Sequence, residues 1–202
     1  MLTHRHVMSG NLRGAQVTDA NELRCEIKSN EDGGMEFFDL IQKRQSIRKW
    51  HDRPVERTKL NCILEAVNRA PSAGNFQSYE VYVVKSGEKR KALADATWDQ
   101  NFIADAPVML VFCSHPTRCD YPGAETYALE DTSIACTFAM LAATALGLGA
   151  VWIGAFDPKA IAEVMKLPHD EIPIALLPIG HSAETPDRTS RRGIEDFVHD
   201  FR

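Results

Sequence analysis

No CxxC cysteine pair, no lysine-bearing phosphate loop and no excess of basic residues occur in this 202-residue chain. Each absence removes a class of function. The five cysteines, at positions 25, 62, 113, 119 and 136, are odd in number and not spaced as pairs, which suits a reducing compartment better than a disulfide framework. Without the lysine loop, the common nucleoside-triphosphate site is excluded. Lys and Arg number 23 against 28 Asp and Glu, a net charge of -5, so there is no general electrostatic footprint for nucleic acid. Any anion site must be local. The opening residues MLTHRHVMSGNLRG also lack the apolar core of a secretory signal, and the expected location is the cytoplasm.

What is present begins with one long uncharged run, CTFAMLAATALGLGAVWIGAF, residues 136–156. A wholly helical run of ~20 apolar residues would cross a bilayer. Gly147, Gly149 and Gly154 interrupt its second half, and AVWI is rich in β-formers, so it reads as a buried helix, a turn and a buried strand, with no membrane span.

Residues 1–34 are polar and aperiodic and end at Gly33-Gly34, the pattern of an arm ahead of one domain over residues 35–202. Within the domain, Phe37, Leu40 and Ile41 have helical spacing. Thr58 is placed to cap a second helix, with Leu60, Ile63, Leu64 and Val67 on its apolar face and Pro71 stopping it. EVYVV reads as a strand, GEKRKALADA as a helix and PVMLVFC as a central strand. After a loop to about Ala124 come a long helix through Met140 and Leu146, a strand at Val151, a helix opened by Asp157-Pro158 and closed by Pro168, and the core strand IPIALLPIG. Helices alternating with short apolar strands leave α+β and α/β both open, with helices covering a sheet.

Several candidate sites fail on their chemistry. GLGAVWIG has its third glycine displaced and follows a helix, whereas a dinucleotide site needs a helix N-terminus after a strand. In CSHPTRC, the spacing of Cys113, His115 and Cys119 matches no standard zinc pattern, and nothing nearby in sequence orients His115 as a base for Cys119. Cys113 reads as core and Cys119 as a loop residue, and no metal site is expected. RAPSAGNFQSYE is more informative: Ser72, Ala73 and Gly74 let backbone approach a ligand, and Asn75 and Gln77 offer paired donors and acceptors to a planar heterocycle. RQSIRKW sets Arg44, Arg48 and Lys49 around Ser46, and RTSRR adds a second cationic cluster near the C-terminus. Either alone is a solvated surface. Together they can converge on one phosphate, because Arg grips phosphate with two hydrogen bonds and Ser adds a donor.

Taken in order, RQSIRKW, APSAGNFQSYEVYVV, ALGLGAVWIGAF, PIALLPIGHSAETP and SRRGIEDFV resemble the flavin-dependent nitroreductase family over roughly residues 36–200. The resemblance implies an α+β fold with a central, mainly antiparallel sheet flanked by helices, built as an intertwined homodimer with FMN at the subunit interface. It implies that Arg44, Gln45, Ser46 and Arg48 hold the phosphate, ribityl chain and pyrimidine edge of FMN. Pro71, Ser72, Ala73 and Asn75 match a turn that the family supplies from the other subunit; Gln77, Ser78 and Tyr79 depart from the family's QPW. Ile153, Gly154 and Ala155 resemble the loop whose backbone N–H reaches the hydride-accepting nitrogen, and Arg191 and Arg192 match the basic tail residues that close on the phosphate.

The implied activity is ping-pong hydride transfer from NAD(P)H through FMN to a small-molecule acceptor such as a nitroaromatic or quinone. No catalytic side chain is required of the protein. Two alternatives remain: the same fold running a different flavin reaction, as a dehydrogenase, dehalogenase or flavin-fragmenting enzyme, or a non-enzymatic FMN-binding module. Trp98, Phe102 and Tyr121 lie where they could line a substrate pocket, although aromatics so placed are more often packing.

Overall fold

The computed structural model describes residues 36–199. The expected arm at residues 1–34 lies outside them. The helices are α1 (Phe37–Lys43), α2 (Arg57–Asn68), α3 (Gly87–Asp95), α4 (Ala124–Ala145) and α5 (Pro158–Met165). The strands are β1 (Tyr79–Val84), β2 (Val108–Ser114), β3 (Gly149–Ala150) and β4 (Ile172–Gly180), in the order β1-β2-β4-β3. Every neighbouring pair is antiparallel, which closes the α/β alternative and makes the domain α+β.

The unbroken apolar run of β2 follows from its position. All seven of its residues are buried, because helices cover both faces of the sheet. Val108, Leu110 and Phe112 point with Ala175, Leu177 and Ile179 toward α2 and α4. Met109, Val111 and Cys113 point the other way, into a cluster with Leu93 of α3, Ile161 of α5, Ile47 and Trp50. Side chains alternate along a strand, so a strand covered on both faces needs no polar positions. Ala128, Ala135, Ala139 and Ala143 line the buried side of α4, and their small volume lets that helix lie close to the sheet.

Two local expectations change. The second helix begins at Arg57, with Glu56 as its N-cap residue and Thr58 inside the first turn. The Glu56 carboxylate accepts from Arg53 at 2.7 Å and bonds His181 at 3.1 Å, and these ties fix the entry of the chain ahead of Thr58. The strand at Val151 is confined to Gly149–Ala150, followed by a single bridge between Ile153 and Leu176. Its register explains the break. Ala150 faces Ile179 and Ile153 faces Leu176, which puts Pro178 opposite Val151, and proline has no N–H to donate to the ladder. Among the described residues, no helix is long and apolar enough to cross a membrane.

Candidate functional site

The segment after α1 is laid along the edge of the sheet by backbone bonds on both sides. Ser46 bridges Ala150, Ile47 N–H donates to the Ala150 carbonyl at 3.1 Å, and the Trp50 indole donates to the Gly149 carbonyl at 3.0 Å. On the other side, His51 N–H donates to the His181 carbonyl and Ala183 N–H to the Lys49 carbonyl, each at 2.9 Å. Ile47 and Trp50 are buried by these ties, and Arg48 and Lys49 between them are exposed. Two glycines permit this approach. A Cβ on Gly149 would stand 2.7 Å from the Ile47 side chain, and one on Gly180 would stand 2.5 Å from Pro107 and 2.8 Å from Trp50. Gly149→Val is accordingly expected to cost about 1–3 kcal/mol by overpacking, read as a lower denaturation midpoint.

The segment's polar side chains and the tail after β4 meet at one cavity of about 350 Å3. Arg44, Gln45, Ser46 and Arg48 line one part, and Arg188 and Arg191 another. Against these four guanidinium groups the lining has a single acid, Asp187. A second cavity of about 320 Å3 adjoins it, sharing Gln45, Pro186 and Arg188 and walled by Gly147, Leu148 and Gly149. Gln45 Oε1 is buried there without a hydrogen-bond partner. A buried acceptor left unpaired costs free energy, so a site that includes it is short of one donor. Glu184 holds the floor in place by accepting from the backbone N–H groups of Arg48 and Lys49. Arg191 bends back to the Thr189 hydroxyl at 2.8 Å. Arg192 does not line the cavity; its guanidinium lies over the Phe197 ring, 5.0 Å from the centroid.

Pro71, Ser72, Ala73 and Asn75 lie elsewhere, in the turn between α2 and β1. That turn stores backbone strain, since the non-glycine residues Asn75 and Gln77 have φ of 58° and 50°. Asp131 of α4 holds it: 1% exposed, its carboxylate accepts from Ala73 N–H at 2.8 Å and Ser78 N–H at 3.3 Å. The Ser72 hydroxyl adds a bond from Gln77 N–H at 3.1 Å. Pro71 and Asn75 are exposed, and neither lines the arginine cavity of the same chain.

Ile153 is buried against β4, whereas Gly154 and Ala155 are exposed and steadied by a bond from Gln100 to the Ala155 carbonyl at 2.7 Å. A Cβ on Gly154 would meet only Trp152, at an ordinary 3.5 Å. Packing within the chain therefore does not require glycine there. Of the aromatics, Phe102 stacks on Trp50, Tyr121 sits edge-on to Phe76 and Tyr127, and Trp98 is exposed; none lines the arginine cavity.

Sequence reasoning did not find Arg188, Glu184 or Asp131. Arg188 had a signal, since it opens the same RTSRR cluster. Asp131 had a weaker one, as an acid within a long helix rich in small residues. His115 also differs from expectation: Asp170, distant in sequence, bonds its Nε2 at 3.1 Å. Cys113 is core as expected, and burial, followed by the Glu171 and Glu80 carboxylates, pushes its thiol up to about 12, far from a reactive thiolate. Cys119 is buried as well.

By fold and site, this is an α+β protein with an arginine-lined cleft at the edge of an antiparallel sheet. The sequence pattern of the Nitroreductase family matches residues 41–113 and 96–181, and the chain belongs to that family. An FMN reductase of Bacillus subtilis, named for NAD(P)H, is 34% identical over 181 residues, covering 81% of this chain and 73% of the relative. An oxygen-insensitive NADPH nitroreductase of Salmonella typhimurium is 30% identical over 176 residues, covering 81% and 72%. The crystal structure of a nitroreductase family protein from Clostridium novyi NT superposes with a TM-score of 0.70 at 34% identity, covering 77% of this chain and 89% of that one.

Proposed function

We propose that the protein is an FMN-dependent oxidoreductase that uses NAD(P)H to reduce small-molecule acceptors such as nitroaromatics or quinones, acting as a homodimer in the cytoplasm. The observation that carries this reading is the meeting of Arg44, Ser46 and Arg48 with Arg191 around one cavity, where Gln45 Oε1 lacks a donor. The donor set fits FMN. Arginines and a serine suit a phosphate, and a ribityl hydroxyl or ring N–H would satisfy Gln45. Both relatives named above carry flavin or NADPH chemistry in their names.

FMN when bound supplies the redox chemistry, taking a hydride from NAD(P)H and passing electrons to a second substrate, which makes the reaction ping-pong. The chain's part is to bind, orient and shield. Arg44 and Arg191, with Arg188 beside them, neutralise the phosphate. Arg48 would hold the pyrimidine edge, where a fixed cation would favour the reduced, more negative ring. Gly154 and Ala155 are exposed and would offer backbone N–H to the ring, and the absence of a side chain at Gly154 would leave room for a nicotinamide.

A second subunit completes the site. The Asn75 turn is exposed and does not line its own chain's cavity, so it can serve a partner's. Phe37 and Phe38 on α1, with Ile194 and Val198 in the tail, are each more than half exposed, an apolar surface that a partner would cover.

The purified protein is expected to be yellow or to take up added FMN, and NADH or NADPH should bleach the bound flavin within the time of turnover. A colourless protein that binds no FMN would end the proposal. A flavoprotein that neither pyridine nucleotide reduces would point to one of the alternative flavin reactions. Arg48→Ala is expected to weaken FMN binding by about 10- to 100-fold, the worth of one charged hydrogen bond, and to lower the flavin reduction potential. An unchanged potential would remove Arg48 from the pyrimidine edge.

A further inference from the structure

The far end of the sheet carries a second cluster of polar groups that flavin chemistry does not use. β4 begins beside it at Ile172 and ends at Gly180 against Trp50, so its eight residue steps put about 27 Å between the cluster and the Trp50 end of the sheet. Three adjacent strands contribute. Glu80 comes from β1, His115 directly follows β2, and Glu171 directly precedes β4. The order β1-β2-β4 brings these ends side by side, with one ligand atom from each of the three residues all within 4.8 Å of one another.

The Arg118 contact favours one tautomer of the histidine. Arg118 Nε donates to His115 Nδ1 at 2.9 Å, so Nδ1 is the acceptor and the ring proton sits on Nε2, from which it is given to Asp170 at 3.1 Å. A carboxylate behind an imidazole, with the lone pair of the other nitrogen facing outward, is the arrangement that orients histidine ligands in metal proteins. That lone pair faces Glu80, whose Oε1 lies 3.3 Å away.

Glu171 is an independent pointer to a cation. It is 9% exposed, its carboxylate accepts from the Tyr82 hydroxyl at 2.6 Å, and among the described residues it has no ion-pair partner. A carboxylate so buried is costly unless a cation compensates it. The cluster has three carboxylates, Glu80, Asp170 and Glu171. Its only guanidinium, from the half-exposed Arg118, pairs with Glu80.

We infer that Glu80, His115 and Glu171 form a binding site for a divalent transition-metal ion of the zinc type, with Arg118 as the displaceable cation that occupies its mouth. One imidazole nitrogen with two carboxylate oxygens suits zinc, cobalt or nickel better than calcium or magnesium, which prefer oxygen alone. Ligand atoms around tetrahedral zinc stand about 3.4 Å apart, given bonds of ~2.0–2.1 Å. Small side-chain rotations of Glu80 and Glu171 bring them to that spacing, and water takes the fourth position. The ion ties together the ends of β1, β2 and β4 and stabilises the native state by mass action.

The test uses the full chain, stripped with a chelator, equilibrated with zinc chloride and freed of excess metal by gel filtration. Wild-type protein should retain about one more zinc per chain than His115→Ala and show a zinc-dependent rise in melting temperature that this variant lacks. Asp170→Asn should bind zinc about 10- to 100-fold more weakly. Arg118→Ala distinguishes a metal site from a plain ion-pair network. It removes the competing cation, so zinc affinity should increase about tenfold, whereas loss of a structural ion pair would leave zinc binding unmoved. Circular dichroism checks that each variant is folded; if His115→Ala is not, Glu171→Gln replaces it. Equal zinc retention in wild type and the ligand variants, the sign of adventitious binding at other histidines, would overturn the site. So would an Arg118→Ala protein that binds zinc no more tightly.

Discussion

The Arg44→Ala, Arg191→Ala double variant is expected to bind FMN about 100- to 10,000-fold more weakly than wild type, measured by quenching of flavin fluorescence on titration. Each arginine makes a charge-assisted contact worth ~1.5–3 kcal/mol, and two such losses give ~3–6 kcal/mol, at 1.4 kcal/mol per tenfold. The two residues lie at opposite ends of the domain's sequence yet line the same cavity, so their effects should couple through the shared phosphate. The remaining affinity should depend less on salt, because two fewer charges face the anion. If each single variant binds FMN like wild type, the cavity is not the phosphate site and the proposed function loses its main support.

Asp131→Ala should be the most damaging single change to the fold. Its side chain is buried and satisfies two backbone N–H groups that no other group is placed to accept from, those of Ala73 and Ser78. Orphaning a buried donor costs ~1–3 kcal/mol, so the pair costs ~2–6 kcal/mol, a large share of the stability of an ordinary domain. Relief from burying a carboxylate works in the other direction. It does not win, because the Ala73 and Ser78 N–H groups would both lose their acceptor in a turn covered by α4. Chemical denaturation should therefore show a clear drop in midpoint, and on the proposed dimeric site flavin affinity should fall with it, since the Asn75 turn would no longer be fixed. Asp131→Asn keeps one acceptor and should show an intermediate loss. A midpoint equal to wild type would mean that the turn is held by its own Ser72 bond.

Much of the domain could be read directly from the chain. The alternation that buries β2 on both faces, the Asp157-Pro158 start of α5, and the interruption of the apolar run before it spans a membrane all depend on neighbours within a few residues. The break at Val151 could not be read in this way. It depends on Pro178 standing opposite, a fact of register between distant segments. The start of α2 differs for a similar reason, because Glu56 is tied to His181 across the fold.

The candidate site divides along the same line. RQSIRKW and RTSRR announced two cationic clusters, and composition required that any anion site be local. Arg188 belonged to the second cluster but only the cavity gave it a place. His115 was visible as a residue without an orienting partner; its partner, Asp170, and its neighbours Glu80 and Glu171 become visible only when three strand ends are set side by side.

The sequence by itself determined most of the helices and strands, which of their faces would be buried, and which residue types were available for an anion. These are local matters, set by the period of apolar residues and by backbone chemistry. The tertiary structure alone decided that Arg44 and Arg191 share a cavity, that Asp131 anchors the Asn75 turn and that Glu171 meets His115. Each of these pairs joins residues far apart along the chain, and their meeting depends on strand order and register, which periodicity does not encode.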